Sequence, residues 1–232
     1  MAKNSRLTDS LTRSEVIWGW IWLIFEVAML PLVLVMINHA LGSPFGESRL
    51  NLLYFLLNFA AVLTIFYRFL GRSVTGLGKN LFRVLRGAFL GFCVYYVSNL
   101  AMTELMGLLF PWFSNVNDQS VIALLRQDFW PMVIGTVVLV PFAEELLFRG
   151  LMFQTLYHKN RAWGYLLSTL VFCAIHVMGY INAYDPLTLG LCFIQYIPAS
   201  LCLAWAYTQA DNIFAPILIH SVINAMGIMA VR

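Results

Sequence analysis

Seven long apolar runs dominate the chain, at residues 16–37, 50–70, 84–109, 131–157, 162–178, 186–206 and 213–231. A bilayer core about 30 Å thick takes roughly 20 helical residues to cross. Runs of this length cannot all be buried inside one soluble domain. Strands of a membrane barrel would instead alternate apolar and polar residues, and these runs do not. The expected fold class is therefore all-α: a multi-pass membrane helical bundle with about seven transmembrane helices. Composition agrees. Of 232 residues, 61% are apolar and 11% charged, and the mean hydropathy is +0.79. A soluble domain lies near 45–50% apolar and about 25% charged. A soluble enzyme, a nucleic-acid binder and a disordered chain are excluded. A net charge of +3 indicates no polyanionic partner.

Local signals mark several span starts. Thr12 and Glu15 are spaced as a capping box. Asp185-Pro186 supplies an N-cap followed by proline at the first helical position. Asp211 and Asn212 are expected caps for the seventh span. No repeat or low-complexity segment divides the chain, so residues 1–232 are read as a single transmembrane domain. The polar first 13 residues and the long run behind them do not form a cleavable signal peptide. Cys93, Cys173, Cys192 and Cys202 lie in apolar stretches without paired spacing, and are expected as small core residues.

Basic residues set the orientation. Lys3, Arg6 and Arg13 precede the first span. Arg68, Arg72, Lys79, Arg83 and Arg86 lie between the second and third, and Lys159 and Arg161 between the fourth and fifth. These are ten of the fourteen Lys and Arg. The other side holds Arg49, Arg126 and Arg232. The positive-inside rule places the N-terminus in the cytoplasm and the C-terminus outside.

Ionisable groups within spans are costly and mark function by default. They are Glu26, Glu104, Glu144, Glu145, Arg149, His176 and His220. Glu145 and Arg149 stand four apart in the order that favours an ion pair. That leaves Glu144 as a carboxylate without a local partner, and burial in an apolar site suits it to act as a general base. Pro141 removes a helical hydrogen bond just before it. Phe172 and His176 share one helical face, as do His220 and Asn224. This set fits hydrolysis. Glu144 with His176 can take a proton from water, while Asn224 and His220 can donate to an oxyanion. Ser221 lacks a G-x-S-x-G setting and is a poor nucleophile candidate. Two histidines and a glutamate can also bind zinc, but H-E-x-x-H is absent, and no cofactor is the preferred reading. If the spans are straight, Glu144 and His176 differ in depth by about 10 Å.

Glu144-Glu145-x-x-x-Arg149, Phe172-x-x-x-His176 and His220-x-x-x-Asn224 resemble, in order, the three motifs of the CAAX protease and bacteriocin-processing (CPBP, or Abi) family. Asn117-Asp118-Gln119 and Phe148-Arg149-Gly150 look like its bacterial members. The resemblance covers about residues 115–232. It implies a metal-independent intramembrane endopeptidase in a bacterial cell membrane, acting on a membrane-associated peptide or protein. Glu144 and His176 would activate water, His220 and Asn224 would form the oxyanion hole, Glu145 and Arg149 would support the site, and Phe172 would shape the pocket. Prenylated substrates are a eukaryotic feature and are not carried over. Glu26 and Glu104 match no motif and read mainly as packing or interface residues. The alternative implied by the family name is a non-proteolytic partner, in bacteriocin self-immunity or bound to a sensor kinase. A proton-relay transporter is the third reading, weakened by the lack of repeated halves.

Overall fold

The computed structural model describes residues 7–230. Lys3, Arg6 and Arg232, used above for orientation, and Val231 lie outside the described residues. All regular structure among the described residues is helical, as expected. The helices are α1 (Arg13–Ala28), α2 (Leu30–Ala40), α3 (Glu47–Ile65), α4 (Tyr67–Lys79), α5 (Leu81–Leu109), α6 (Val116–Gln127), α7 (Phe129–Lys159), α8 (Arg161–Met178), α9 (Pro186–Ala210) and α10 (Phe214–Ala230). Five of them, α3, α5, α7, α8 and α9, are long and apolar enough to cross a bilayer. The α1–α2 pair makes a sixth candidate, bent by 53°. With 17 residues, α10 falls about one turn short of a 30 Å core. Their outward surface is apolar, with Ile24, Phe82, Phe89, Leu108 and Met229 more than half exposed. Such a belt belongs in lipid. The protein is a multi-pass membrane protein of about the expected span count.

Two of the expected spans are interrupted. The first run is two helices, because Pro31 at the start of α2 offers no N–H to the turn before it. The second run's helix stops at Phe66, and the amphipathic α4, with Arg68, Arg72 and Lys79, follows it at the basic end. The predicted capping box is present: Thr12 accepts from the Glu15 amide and Glu15 from the Thr12 amide. Asp185 caps α9 through the amides of Leu187 and Thr188. Asp211 instead closes α9, in a left-handed conformation (φ 53°), while Asn212 accepts from the Phe214 amide. Cys173, Cys192 and Cys202 are buried and all four cysteines are free.

The bundle has two distinct ends. At one, the basic residues gather. Arg72 pairs with Asp9 at 2.7 Å, and Arg83 with Asp211 at 3.3 Å. Thr8 donates twice to Asp211, and Asn212 donates to the Ser73 carbonyl. At the other end lie α6 and the turn before α9. Asn115 donates to Gln195, and Asn117 donates to the Tyr196 hydroxyl.

Helix α5 crosses α9 on a stripe of small residues. A Cβ at Gly87 would lie 2.9 Å from the Ala210 backbone nitrogen, and one at Gly91 would lie 2.5 Å from the Ala206 Cβ. Close backbone approach of this kind substitutes for a hydrophobic driving force in lipid. Gly87→Val is expected to push α9 off α5 and cost about 1–3 kcal/mol. Thermal unfolding in detergent checks this, and an unchanged midpoint would refute the close crossing.

Candidate active site

The site begins with an irregular backbone. Helix α7 is π-helical at Gly135–Leu139 and again at Glu145–Phe153. Such stretches leave carbonyls short of donors and often lie at functional sites. The Val140 N–H reaches back to Gly135, and Pro141 has no N–H, so the Thr136 carbonyl lacks both nearby donors. Asn224 from α10 supplies one, at 2.8 Å. This bond orients the Asn224 amide and leaves its second N–H unused. The proline expected to disturb the helix therefore also docks α10.

Adjacent carboxylates on one helix point about 100° apart. Here the His220 ring receives both. Its Nδ1 lies 2.7 Å from Glu145 Oε1, and its Nε2 lies 4.0 Å from Glu144 Oε2. Glu145 Oε1 also accepts from Arg149 Nη1 at 3.0 Å, so the anticipated pair is present. An ionised carboxylate only accepts, which places a proton on Nδ1 of His220. Its Nε2 can then donate to a ligand only when the ring is cationic. Glu144, Glu145, Arg149 and a cationic His220 would together be neutral.

Arg149 is buried to 1% and fully housed. It lies 4.2 Å over the Phe172 ring and donates to the Ser200 carbonyl and hydroxyl. The Ser200 hydroxyl in turn donates to Thr169. Phe172 is the hub of the pocket, with the His176 ring 4.5 Å away and the His220 ring 6.3 Å away.

His176 sits two residues from the end of α8. Its Nδ1 lies 2.7 Å from the Phe172 carbonyl, which accepts only, so Nδ1 carries the proton and Nε2 a lone pair. Tyr196 stacks on the ring at 4.3 Å. Glu144 and His176 are within electrostatic reach of each other and make no direct hydrogen bond. Phe172 and His220 link the two, with the Phe172 ring 4.5 Å from that of His176 and 6.3 Å from that of His220, and His220 Nε2 4.0 Å from Glu144, so the helices gather both groups at one site. Glu144 Oε2 is buried with no hydrogen-bond partner, and its side chain is 18% exposed.

Several neighbours were not legible as site residues. Tyr54 and Asn58 both donate to Glu26 Oε1, Trp22 donates to Asn58, and this buried cluster lies within electrostatic reach of Glu144. A carboxylate inside a span was the signal, but Glu26 had no motif to join. Glu104 is exposed and takes no part. At the rim, Tyr196 donates to Asp118 at 3.4 Å. Asp118 is exposed as a residue, yet its carboxyl faces these neighbours, and desolvation raises its pKa above the ordinary value, against the pull of Tyr196 and His176.

Comparison with known proteins bears out the family resemblance. Residues 126–226 match the family described as "Type II CAAX prenyl endopeptidase Rce1-like". Three bacterial relatives cover a similar share. The UPF0177 protein YxdF of Lactococcus lactis is 27% identical over 41% of this chain and 47% of its own length. The uncharacterized protein YpbD of Bacillus subtilis is 32% identical over 44% of this chain and 47% of its own. The UPF0177 protein YbdI of Lactococcus lactis is 30% identical over 42% and 47%. The chain spans about half the length of these curated relatives. No solved structure matches it.

Proposed function

We propose, from the match of residues 126–226 to the Rce1-like type II CAAX prenyl endopeptidase family, that this protein is an intramembrane endopeptidase of a bacterial cell membrane, hydrolysing a bond in a membrane-associated peptide or protein. The observation that carries the reading is a pair of histidines near Glu144, each with its Nδ1 proton held by an acceptor and its Nε2 left to the site. His176 keeps a lone pair on Nε2, and His220 faces Glu144 through the nitrogen not held by Glu145.

In this reading Glu144 takes one proton from water, while His176 Nε2 accepts a hydrogen bond from the same water and holds it. The hydroxide adds to the scissile carbonyl carbon. The oxyanion accepts from the free N–H of Asn224 and from Nε2–H of cationic His220. Protonated Glu144 then returns its proton to the leaving amine, the carbon–nitrogen bond breaks, and the carboxylate is restored. Glu145 and Arg149 orient His220 and do not touch the substrate. Phe172 shapes the pocket.

Nothing in this sequence of proton transfers requires a metal. The test is cleavage of candidate peptides by purified protein, with products mapped by mass spectrometry, before and after treatment with a strong chelator. Cleavage that survives the chelator and is absent from a Glu144→Gln preparation is expected. Loss of activity on chelation, restored by zinc, would replace this mechanism with a metal-assisted one. Equal cleavage by Glu144→Gln would take the role of base away from Glu144, and no cleavage by the wild-type protein would remove the peptidase assignment.

A further inference from the structure

The candidate site is sealed toward one end of the bundle, and its side chains are less buried toward the other. Between it and the basic end lies a plug. All nine residues of Glu145–Phe153 are buried. Beneath them Phe69, Tyr207 and Ile213 are buried to 2% or less. A cavity of about 620 Å³ does indent the basic end, but it stops at these three side chains and includes no site residue. It lies on the far side of the plug.

In the other direction the groups become accessible and polar. Glu145 is 0% exposed, its neighbour Glu144 is 18% exposed, and His176 is half-buried. Along α8, His176 stands about 22 Å from Arg161 at the basic end. Beyond it come Tyr196, then Asn117 and Asp118 at the start of α6, with the Tyr180 hydroxyl donating to Asn117. Amides and phenol hydroxyls at a mouth suit hydrogen bonding to a peptide backbone.

The basic end faces the cytoplasm by the positive-inside rule. The described basic residues there, Arg68, Arg72, Lys79 and Arg83, surround the indentation on the far side of the plug. We infer that the catalytic chamber opens to the extracytoplasmic face, and that its substrates are exported or membrane-anchored peptides presented outside the cytoplasm. This deepens the endopeptidase reading and rests on it for the word substrate. The direction of the opening rests on the geometry and on the positive-inside rule, and not on that reading.

Cysteine accessibility separates the two. A small, charged, membrane-impermeant methanethiosulfonate is applied to right-side-out and inside-out membrane vesicles of cells making the full chain, with wild type as the blank. His176→Cys reports the chamber, exposed Gln119→Cys on α6 reports one face, and exposed Thr75→Cys on α4 reports the other. Gln119→Cys and His176→Cys are expected to react in right-side-out vesicles, and Thr75→Cys in inside-out vesicles. Reaction of His176→Cys from the Thr75 side, or from neither side, overturns the proposal, as does reversal of the two face markers. Should His176→Cys be misassembled, Tyr196→Cys at the chamber mouth is read in the same way. In a parallel arm, peptides added to right-side-out vesicles are expected to be cut by wild type and spared by Glu144→Gln. Cleavage confined to inside-out vesicles also overturns the proposal. Outward labelling with no cleavage in any preparation, detergent included, upholds the opening and removes the peptidase reading instead.

Discussion

Glu144→Gln is expected to lower kcat/KM for peptide cleavage by about 10²–10⁴-fold, the range of a lost general acid–base group. The substitution keeps the side chain's size and removes its capacity to take a proton from water. It should leave the fold intact, because Glu144 Oε2 is buried without a hydrogen-bond partner and no ion pair closer than 4.0 Å is broken. Relieving an unpartnered carboxylate of its charge costs the folded state little. The measurement is a rate assay beside a thermal unfolding curve in the same detergent. An inactive variant with the wild-type unfolding midpoint meets the expectation. A wild-type rate would mean that Glu144 is no base, and inactivity with a collapsed midpoint would mean that it acts through the fold.

The neighbouring carboxylate should behave in the opposite way. Glu145→Ala leaves Arg149 buried at 1% exposure without its counter-ion and also takes the acceptor from His220. Breaking one side of a buried pair costs about 3–5 kcal/mol. The remaining partners of Arg149 are the Ser200 carbonyl and hydroxyl and the face of Phe172. None of them neutralises its charge. The double replacement Glu145→Leu with Arg149→Met should be markedly less destabilised than Glu145→Ala, since no charge is then stranded. Unfolding midpoints of the three proteins decide the matter. A Glu145→Ala protein as stable as wild type would show that this pair does not hold the bundle together. The two adjacent glutamates would thus separate into one whose loss is catalytic and one whose loss is structural.

What was legible in the chain follows short-range rules. The capping box at Thr12 and Glu15, the cap at Asp185 and the Glu145–Arg149 pair each depend on three or four residues of one helix. The apolar runs exposed the helical membrane class for a similar reason, because bilayer thickness sets a length that can be counted. Where a helix had to choose a direction, counting failed. Pro31 permits the bend at Met29, but the direction of the bend, like the end of α3 at Phe66, depends on what packs beyond the helix end, and an apolar run continues across both.

The site divides along the same line. Its residues could be named from the sequence because charge in a membrane span is conspicuous, and because three short motifs share spacings that put each pair on one helical face. Their relations could not. The bridging of Glu144 and Glu145 by one imidazole, the docking of Asn224 on a carbonyl bereft by Pro141, the stacking of Tyr196 on His176 and the approach of Glu26 to Glu144 join helices up to 118 residues apart. Hydropathy and local spacing carry the membrane class, the span positions and the list of polar residues. Only the packed helices decide which nitrogen of each histidine is held, which glutamate hydrogen-bonds His220 and which end of the bundle is sealed, since these depend on distances between side chains that no single helix sets.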